Sequence, residues 1–142
     1  MELDFMLLTN YAEVGGNGLL YMSGAGWDTV TMGAPIPEAP PEVFAVIQGT
    51  LVIRLLFHST ETGREHGVVV SITDEDGTEI NKLEAQVRVE RSPGFPATWS
   101  QPLNLPVPLT GVALPRPGHY RINLVVNGQF AGDRPFRVIK GY

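Results

Sequence analysis

Residues 114–138 read LPRPGHYRINLVVNGQFAGDRPFRV, and this stretch decides the fold. After the proline-rich start the pattern takes a period of two, which places alternate side chains on opposite faces of a β-strand. Asn127-Gly128 follows and is typical of a two-residue hairpin turn, because that turn needs positive φ at both positions. A second strand is then predicted to return through Phe136 and Val138. The apolar face of the first strand consists of Tyr120, Ile122, Leu124 and Val126.

The same alternation recurs in the first half of the chain. A first strand is predicted from Leu3 to Leu8, with a return strand from Leu19 to Ser23. The glycines of Gly24-Ala25-Gly26 predict either a bulge or a crossing from one sheet to the other. A proline-rich loop over Ala34 to Pro41 precedes a single long central strand from Val43 to His58. The first strand is expected to point these side chains inward: Leu3, Phe5 and Leu7.

The second half of the chain predicts a further hairpin and an edge strand. The tight-turn dipeptide Asp76-Gly77 is predicted to join a strand over Gly67 to Thr73 to one over Ile80 to Val89. A later strand over Leu103 to Leu109 carries Pro106 and Pro108 on its outer side. Since proline cannot donate to a sheet ladder, this strand is predicted to lie at an edge.

Together these segments predict one all-β domain over residues 1–142. The expected architecture is an antiparallel β-sandwich of about seven to nine strands, immunoglobulin-like in general plan. A chain of 142 residues is long enough to bury a core without a covalent staple. It contains no cysteine, so disulfides and thiol chemistry are excluded.

The charge and the composition of short segments exclude several classes of partner, location and cofactor from the prediction. The formal net charge is −5, with ten basic residues against fifteen acidic ones, which argues against nucleic acid and anionic membranes. Glu2 and Asp4 at the front do not fit a secretory signal, so a cytoplasmic location is expected. The glycine run at residues 15–18 lacks the lysine and helix of a phosphate loop, and no cofactor is predicted.

The corner at residues 114–120 resembles one that precedes a late strand in immunoglobulin-like and fibronectin-like sandwiches. This resemblance implies that Tyr120 is the structural tyrosine whose hydroxyl bonds back to nearby backbone. Over nearly its whole length the chain also resembles a family of small uncharacterised bacterial proteins, a domain of unknown function. That resemblance implies a discrete bacterial domain and no particular activity. It is carried by ELDFMLL (2–8), NYAEV (10–14), GWDT (26–29), RLLFHSTETGR (54–64) and QPLNLPVPLTGVALPRPG (101–118).

Two polar segments contain residue types that bind metal ions, but neither predicts a metal site. His58 and His66 flank a loop with Glu61 and Glu65, residue types that bind divalent metals, but the spacing does not fit a helical zinc motif. A solvated hairpin tip explains them better. The run DEDGTE at residues 74–79 is too short for an EF-hand loop and predicts a polar turn.

No catalytic residues are predicted. The chain has neither cysteine nor a G-x-S-x-G elbow, and its three histidines lie on loops or strand ends without a motif that would orient them. A triad that assembles only in space stays open as a cryptic hydrolase, the third of three functional hypotheses.

Aromatic and proline-rich loops form the predicted binding surface. Tryptophan and arginine often anchor protein contacts, and loops on a rigid sandwich commonly carry them. If the strands alternate strictly, Trp27 and Arg116 share one end, and Phe95 and Trp99 share the other with His58 and His66. The alternative is that both tryptophans plug the open ends of the core. The predicted binding residues are Trp27, Phe95, Trp99 and Arg116.

The sequence therefore predicts a non-catalytic protein-binding or assembly module whose partner is another protein or a second copy. Self-association is expected through apolar positions that point outward from the first and central strands. These interface residues are Met6, Leu8, Val52 and Leu56. The alternative function is a small-molecule or carbohydrate binder that stacks its ligand on Trp27 or Trp99.

Overall fold

The computed structural model of the chain describes residues 1–32 and 45–141. Within them lie twelve β-strands, one 3-10 turn at Ser59–Glu61 and no α-helix, which confirms the all-β class. No helix in this part of the chain is long and apolar enough to cross a membrane. The strands are β1 Glu2–Thr9, β2 Tyr11–Val14, β3 Leu20–Ser23, β4 Thr29–Met32, β5 Ala45–Val46, β6 Thr50–Phe57, β7 Glu65–Asp74, β8 Glu79–Arg88, β9 Gln101–Pro108, β10 Ala113–Leu114, β11 Gly118–Val126 and β12 Gln129–Lys140.

Two sheets enclose the core. One has three strands in the order β1-β6-β9, and the other has five in the order β4-β12-β11-β7-β8. Alternate side chains of both sheets point into a single apolar cluster between them, as a sandwich requires. Two short pairs, β2-β3 and β5-β10, complete the fold. The fully buried members of the cluster include Leu51, Ile53, Leu55 and Phe57 from β6 and Ile122 and Leu124 from β11.

The hairpin predicted from residues 114–138 is present as β11 and β12. Its turn has φ of 51° at Asn127 and 78° at Gly128, the positive values that a two-residue hairpin turn needs. The predicted apolar face is buried in the core, and β11 also pairs with β7 on its other side. The hairpin therefore forms the centre of the five-stranded sheet.

The second predicted hairpin and the predicted edge strand are confirmed. β7 and β8 pair across Asp76-Gly77, where the Asp74 carboxylate accepts from the Asp76 and Thr78 N–H groups, each at 2.9 Å. Among the strands that the structure describes, β9 pairs only with β6 and ends the three-stranded sheet. Its prolines are tolerated there because the missing donors lie on an edge.

The predicted inward face of the first strand is wrong beyond Leu3. β1 carries a bulge between Leu3 and Phe5, so Asp4 has no partner in β6. One extra residue reverses which alternate side chains point inward, because a strand has a period of two. Met6 and Leu8 are consequently buried at 3% and 1% exposure, so their expected outward orientation is wrong.

Val52 is also buried, although it points away from the core side of β6. The β2-β3 hairpin folds back over this outer face, since β2 packs against β6 and β9 and Asn104 Nδ2 donates to the Gly18 carbonyl at 3.2 Å. Val52 therefore points outward as predicted, but the hairpin covers it, so it is not exposed as an interface residue would be. Leu56 alone among the four predicted interface residues is half-buried.

The single long central strand is a wrong prediction. In the described part of that run, β5 pairs with β10 and β6 pairs with β1 and β9, so the two segments belong to different sheets. Gly49 lies at the break, and a Cβ there would meet the Thr9 carbonyl oxygen at 2.6 Å. The predicted loop over Ala34 to Pro41 and the predicted strand residue Val43 lie outside the described residues.

The glycines at residues 24–26 mark a crossing, one of the two predicted outcomes. The chain leaves the β2-β3 hairpin there and enters the five-stranded sheet at β4. β4 pairs with β12 in parallel, so the strictly antiparallel prediction is wrong for this pair. The count of twelve exceeds the predicted seven to nine because β2, β3, β5 and β10 have only two to four residues. The immunoglobulin-like connectivity stays a prediction.

Candidate binding surfaces

The loop between β8 and β9 presents the predicted aromatic pair. Phe95 and Trp99 pack edge to face with ring centroids 5.6 Å apart, and Trp99 is 58% exposed. The loop is fixed at its base, where the Gln101 side chain bonds the Ser92 N–H and hydroxyl, each at 2.9 Å. Arg91 further donates to the Phe95 carbonyl at 2.8 Å. Trp99 is thus an exposed ring on a loop that polar contacts hold in place.

The loop between β6 and β7 lies at the same end, because the Gly63 N–H donates to the Val89 carbonyl. His58 caps the 3-10 turn and is exposed. His66 is buried, and its Nε2 lies 2.7 Å from the Glu61 carbonyl oxygen. Its Nδ1 lies 2.8 Å from the Asn127 amide nitrogen, so no hydroxyl is bonded to this ring. In the described part of the chain, no three His, Asp or Glu side chains are grouped closely enough to hold a metal ion.

Trp27 packs against the core and lines an open groove of about 740 Å³. Its ring lies over Gly49, where a Cβ would be 3.1 Å from Cζ2. The indole Nε1 is buried and has no hydrogen-bond partner among the residues that the structure describes. Other polar groups of the groove come from Asn10, Thr29, Thr31 and Gln48.

Arg116 forms ion pairs with two carboxylates at the other end of the sandwich. Its guanidinium lies 2.8 Å from Asp74 and 3.1 Å from Asp76, the carboxylates of the β7-β8 turn. Half of the side chain stays exposed. The Asp76 side chain is 80% exposed, so its ion pair contributes little stability, whereas the Asp74 side chain is only 6% exposed and fixes the position of the corner.

Tyr120 makes the bond that the corner resemblance predicts. Its hydroxyl donates to the Arg116 carbonyl and accepts from the Arg116 N–H at 3.3 Å. The ring is buried and stacks on Phe136 with centroids 5.4 Å apart. Burial raises the pKa of Tyr120 above its ordinary value, and the hydrogen bond to the Arg116 backbone opposes that rise.

We expect Tyr120→Phe to lower the free energy of unfolding by about 1–2 kcal/mol, because the variant loses a buried hydrogen bond. This difference from the wild type is expected to shrink above about pH 10. Because the pKa of Tyr120 is raised in the folded protein, the tyrosine of the unfolded chain loses its proton at a lower pH than the folded one. Above that pH ionisation favours the unfolded state, so the stability of the wild type falls as pH rises. Urea denaturation of both proteins from neutral to alkaline pH measures this. A difference that is constant with pH would contradict the assignment.

The predicted binding residues do not converge. Phe95 and Trp99 lie together at one end of the sandwich, whereas Arg116 lies at the β7-β8 turn at the other end. Trp27 lies in its own groove, beside Gly49 and away from the aromatic pair. The prediction that both tryptophans plug the core applies to Trp27, which packs against it, and is wrong for the exposed Trp99.

The β2-β3 hairpin carries a surface that the sequence reading missed. Five large apolar side chains on it are exposed, and we call them the hairpin patch: Tyr11, Val14, Leu19, Tyr21 and Met22. Side-chain bonds hold the two tyrosines, from Tyr11 to Glu13 at 2.9 Å and from Asn17 to Tyr21 at 2.8 Å. The signal in the sequence was the density of large apolar residues in two very short strands around Gly15 to Gly18.

The fold and these surfaces define the class: a small all-β sandwich domain with exposed aromatic side chains on a hairpin and a loop. Residues 4–139 match the model of a family of unknown function, DUF6941, and the chain belongs to that family. No curated protein matches the chain.

Proposed function

We propose that this chain is a non-catalytic protein-binding or assembly module that contacts its partner through the hairpin patch. One observation carries the proposal. Nine large apolar side chains are strongly exposed in the described part of the chain, and five of them lie on this one short hairpin. A concentration of exposed apolar groups marks an interaction surface more often than scattered ones do.

The register of the hairpin places Tyr11 and Tyr21 on its outer face, whereas Val14 and Met22 are exposed at the margin of the face that carries the buried Ala12. Asn17 accepts from the Leu19 N–H at 3.1 Å and donates to the Tyr21 hydroxyl, which orders the tip. The buried Ala12 and the bond from Asn104 to Gly18 fasten the hairpin to the sheet below. Rigid aromatic groups lose little conformational entropy on binding, and tyrosine is enriched among residues that dominate interfaces.

The expected partner is a protein and neither nucleic acid nor membrane, because the chain carries a net charge of −5. The bacterial cytoplasm expected from the sequence belongs to the same proposal. The loop pair of Phe95 and Trp99 is a second, smaller contact surface in this proposal, since Trp99 is exposed and its loop is fixed.

We expect the double variant Leu19→Ser, Tyr21→Ser to weaken partner binding at least tenfold, or by about 1.4 kcal/mol. Both side chains are about half exposed, so their loss removes contact area without opening the core. Partners recovered with the tagged chain from its native cell are purified, and their Kd is measured for the wild type and the variant.

Phe130→Ser is the matched control, because Phe130 is 65% exposed but lies on β12, outside the hairpin. This control is expected to keep the wild-type Kd. An unchanged Kd in the hairpin variant, or an equal loss in both variants, would count against the hairpin patch as the contact surface.

A small-molecule or carbohydrate binder is the second candidate, and the Trp27 groove favours it. The buried indole N–H has no partner among the described residues, which is costly in an apolar setting, and an acceptor atom of a ligand would satisfy it. The cryptic hydrolase gains no such support, because the buried His66 bonds a carbonyl and an amide where a nucleophile would need to lie.

A further inference from the structure

Strand β8 is an open edge. Among residues 1–32 and 45–141 it pairs with β7 alone and ends the five-stranded sheet. The other long edge strands are protected: β9 carries Pro102, Pro106 and Pro108, and β1 is interrupted by its bulge. β8 has a bulge of its own at Ile80, but residues 81–88 pair with β7 in one register and contain no proline, so they form the longest regular proline-free edge in the described part of the chain.

The backbone direction of β8 follows from its neighbours. The Val89 carbonyl accepts from Gly63 on the β7 side, and main-chain groups of successive residues in a strand point to opposite sides. Odd-numbered residues before Val89 therefore pair with β7. The N–H and C=O groups of the even-numbered residues point away from β7, to the open side. These residues are Lys82, Glu84, Gln86 and Arg88.

The inner face of β8 is incompletely covered. Leu83 and Val87 point toward the core side but are only half-buried, and Ala85 is exposed. The five-stranded sheet is wider than the three-stranded sheet, and β1 packs on β12, so the five-stranded sheet extends beyond the other at both edges, at β4 and at β8. An added strand would cover this apolar strip as well as pair with the backbone.

We infer that a second copy of this chain pairs with β8 antiparallel, about a twofold axis at Gln86. This inference goes beyond the proposed function, because it adds a self-association surface that is separate from the hairpin patch. Such an axis places Glu84 opposite Arg88 of the second copy and Lys82 opposite Glu90 of the second copy, on both sides of the axis. Apolar residues meet on the inner face, Ala85 with Val87 and Leu83 with Val89. Opposite charges and apolar pairs across strands are the stabilising combinations.

Other registers that join the same backbone groups fit less well. An axis at Glu84 sets this residue against its own copy, and pairing Lys82 with Arg88 opposes like charges. A register that pairs Lys82 with Glu84 gains half as many opposite-charge pairs. Within one chain Lys82 already bonds Glu84 at 3.0 Å and Arg88 bonds Glu90, so these side chains lie along the outer face of the strand.

The experiment measures the mass of the purified full chain by analytical ultracentrifugation from about 1 µM to about 1 mM. The wild type is expected to show a monomer–dimer equilibrium. Glu84→Arg sets like charges across the axis and is expected to raise the dimer Kd at least tenfold. Arg88→Glu is expected to do the same, and the double variant Glu84→Arg, Arg88→Glu is expected to recover the wild-type Kd within about threefold.

Gln86→Pro gives an independent check, because it removes two hydrogen bonds at the axis but no bond within the chain. It is expected to abolish the dimer with an unchanged circular dichroism spectrum. A wild type that stays monomeric throughout, or a double variant that fails to recover, would overturn the inference. The Leu19→Ser, Tyr21→Ser variant is expected to keep the dimer, so failure at β8 is distinguishable from failure of the hairpin patch.

Discussion

Phe57→Ala is expected to lower the free energy of unfolding by about 3–5 kcal/mol, the largest effect of any single change considered for this protein. Phe57 ends β6 with 0% exposure and packs against the buried His66, with ring centroids 4.7 Å apart and the rings tilted by 40°. Truncation removes the ring from the core and leaves a cavity between the two sheets. It also loosens His66, which joins the β6-β7 loop to the Asn127 turn.

Equilibrium denaturation in urea measures the effect, with the m-value as a check that both proteins unfold to the same extent. Phe130→Ala is the matched control, because the same ring is removed from a site that is 65% exposed. This control is expected to change stability by less than about 0.5 kcal/mol. Similar losses in the two variants would mean that Phe57 is not part of a packed core.

Gly49→Ala is expected to destabilise the chain by about 2–3 kcal/mol through overpacking. The added Cβ would lie 2.6 Å from the Thr9 carbonyl oxygen and 3.1 Å from Trp27 Cζ2. The first contact is with backbone, which cannot rotate away as a flexible side chain would. Gly49 lies between the end of β1 and the start of β6 and contacts the Trp27 ring. The strain is therefore expected to displace this ring and to change Trp27 fluorescence.

Gly67→Ala tests whether the effect is specific to that contact. Gly67 lies inside β7, and a Cβ there would meet only Gln86 Nε2 at 3.5 Å, an ordinary contact distance. Alanine also reduces the conformational freedom of the unfolded chain, so this variant is expected to be neutral or slightly stabilising. Equal destabilisation by both alanines would show that the close approach at Gly49 is not the cause.

The candidate site was predictable only in part. Tyr120 was found because its role follows from a local corner, and the Phe95 and Trp99 pair because both lie on one loop. The ion pairs of Arg116 could not be predicted, because its partners Asp74 and Asp76 are some forty residues away in sequence, and its binding role stays a prediction. The hairpin patch was missed since the exposure of a short strand depends on what packs beneath it.

The sequence by itself determined the elements whose signals are local. Positive φ at Asn127 and Gly128 sets the central hairpin, a period of two sets the faces of β11, and prolines place β9 at an edge. Only the tertiary structure decided the inward face of β1, the burial of Val52 and the break at Gly49. The physical reason is that an alternating pattern defines the two faces of a strand but does not determine which face points to the core. An insertion of one residue exchanges them. That choice was made by a bulge and by chain segments remote in sequence.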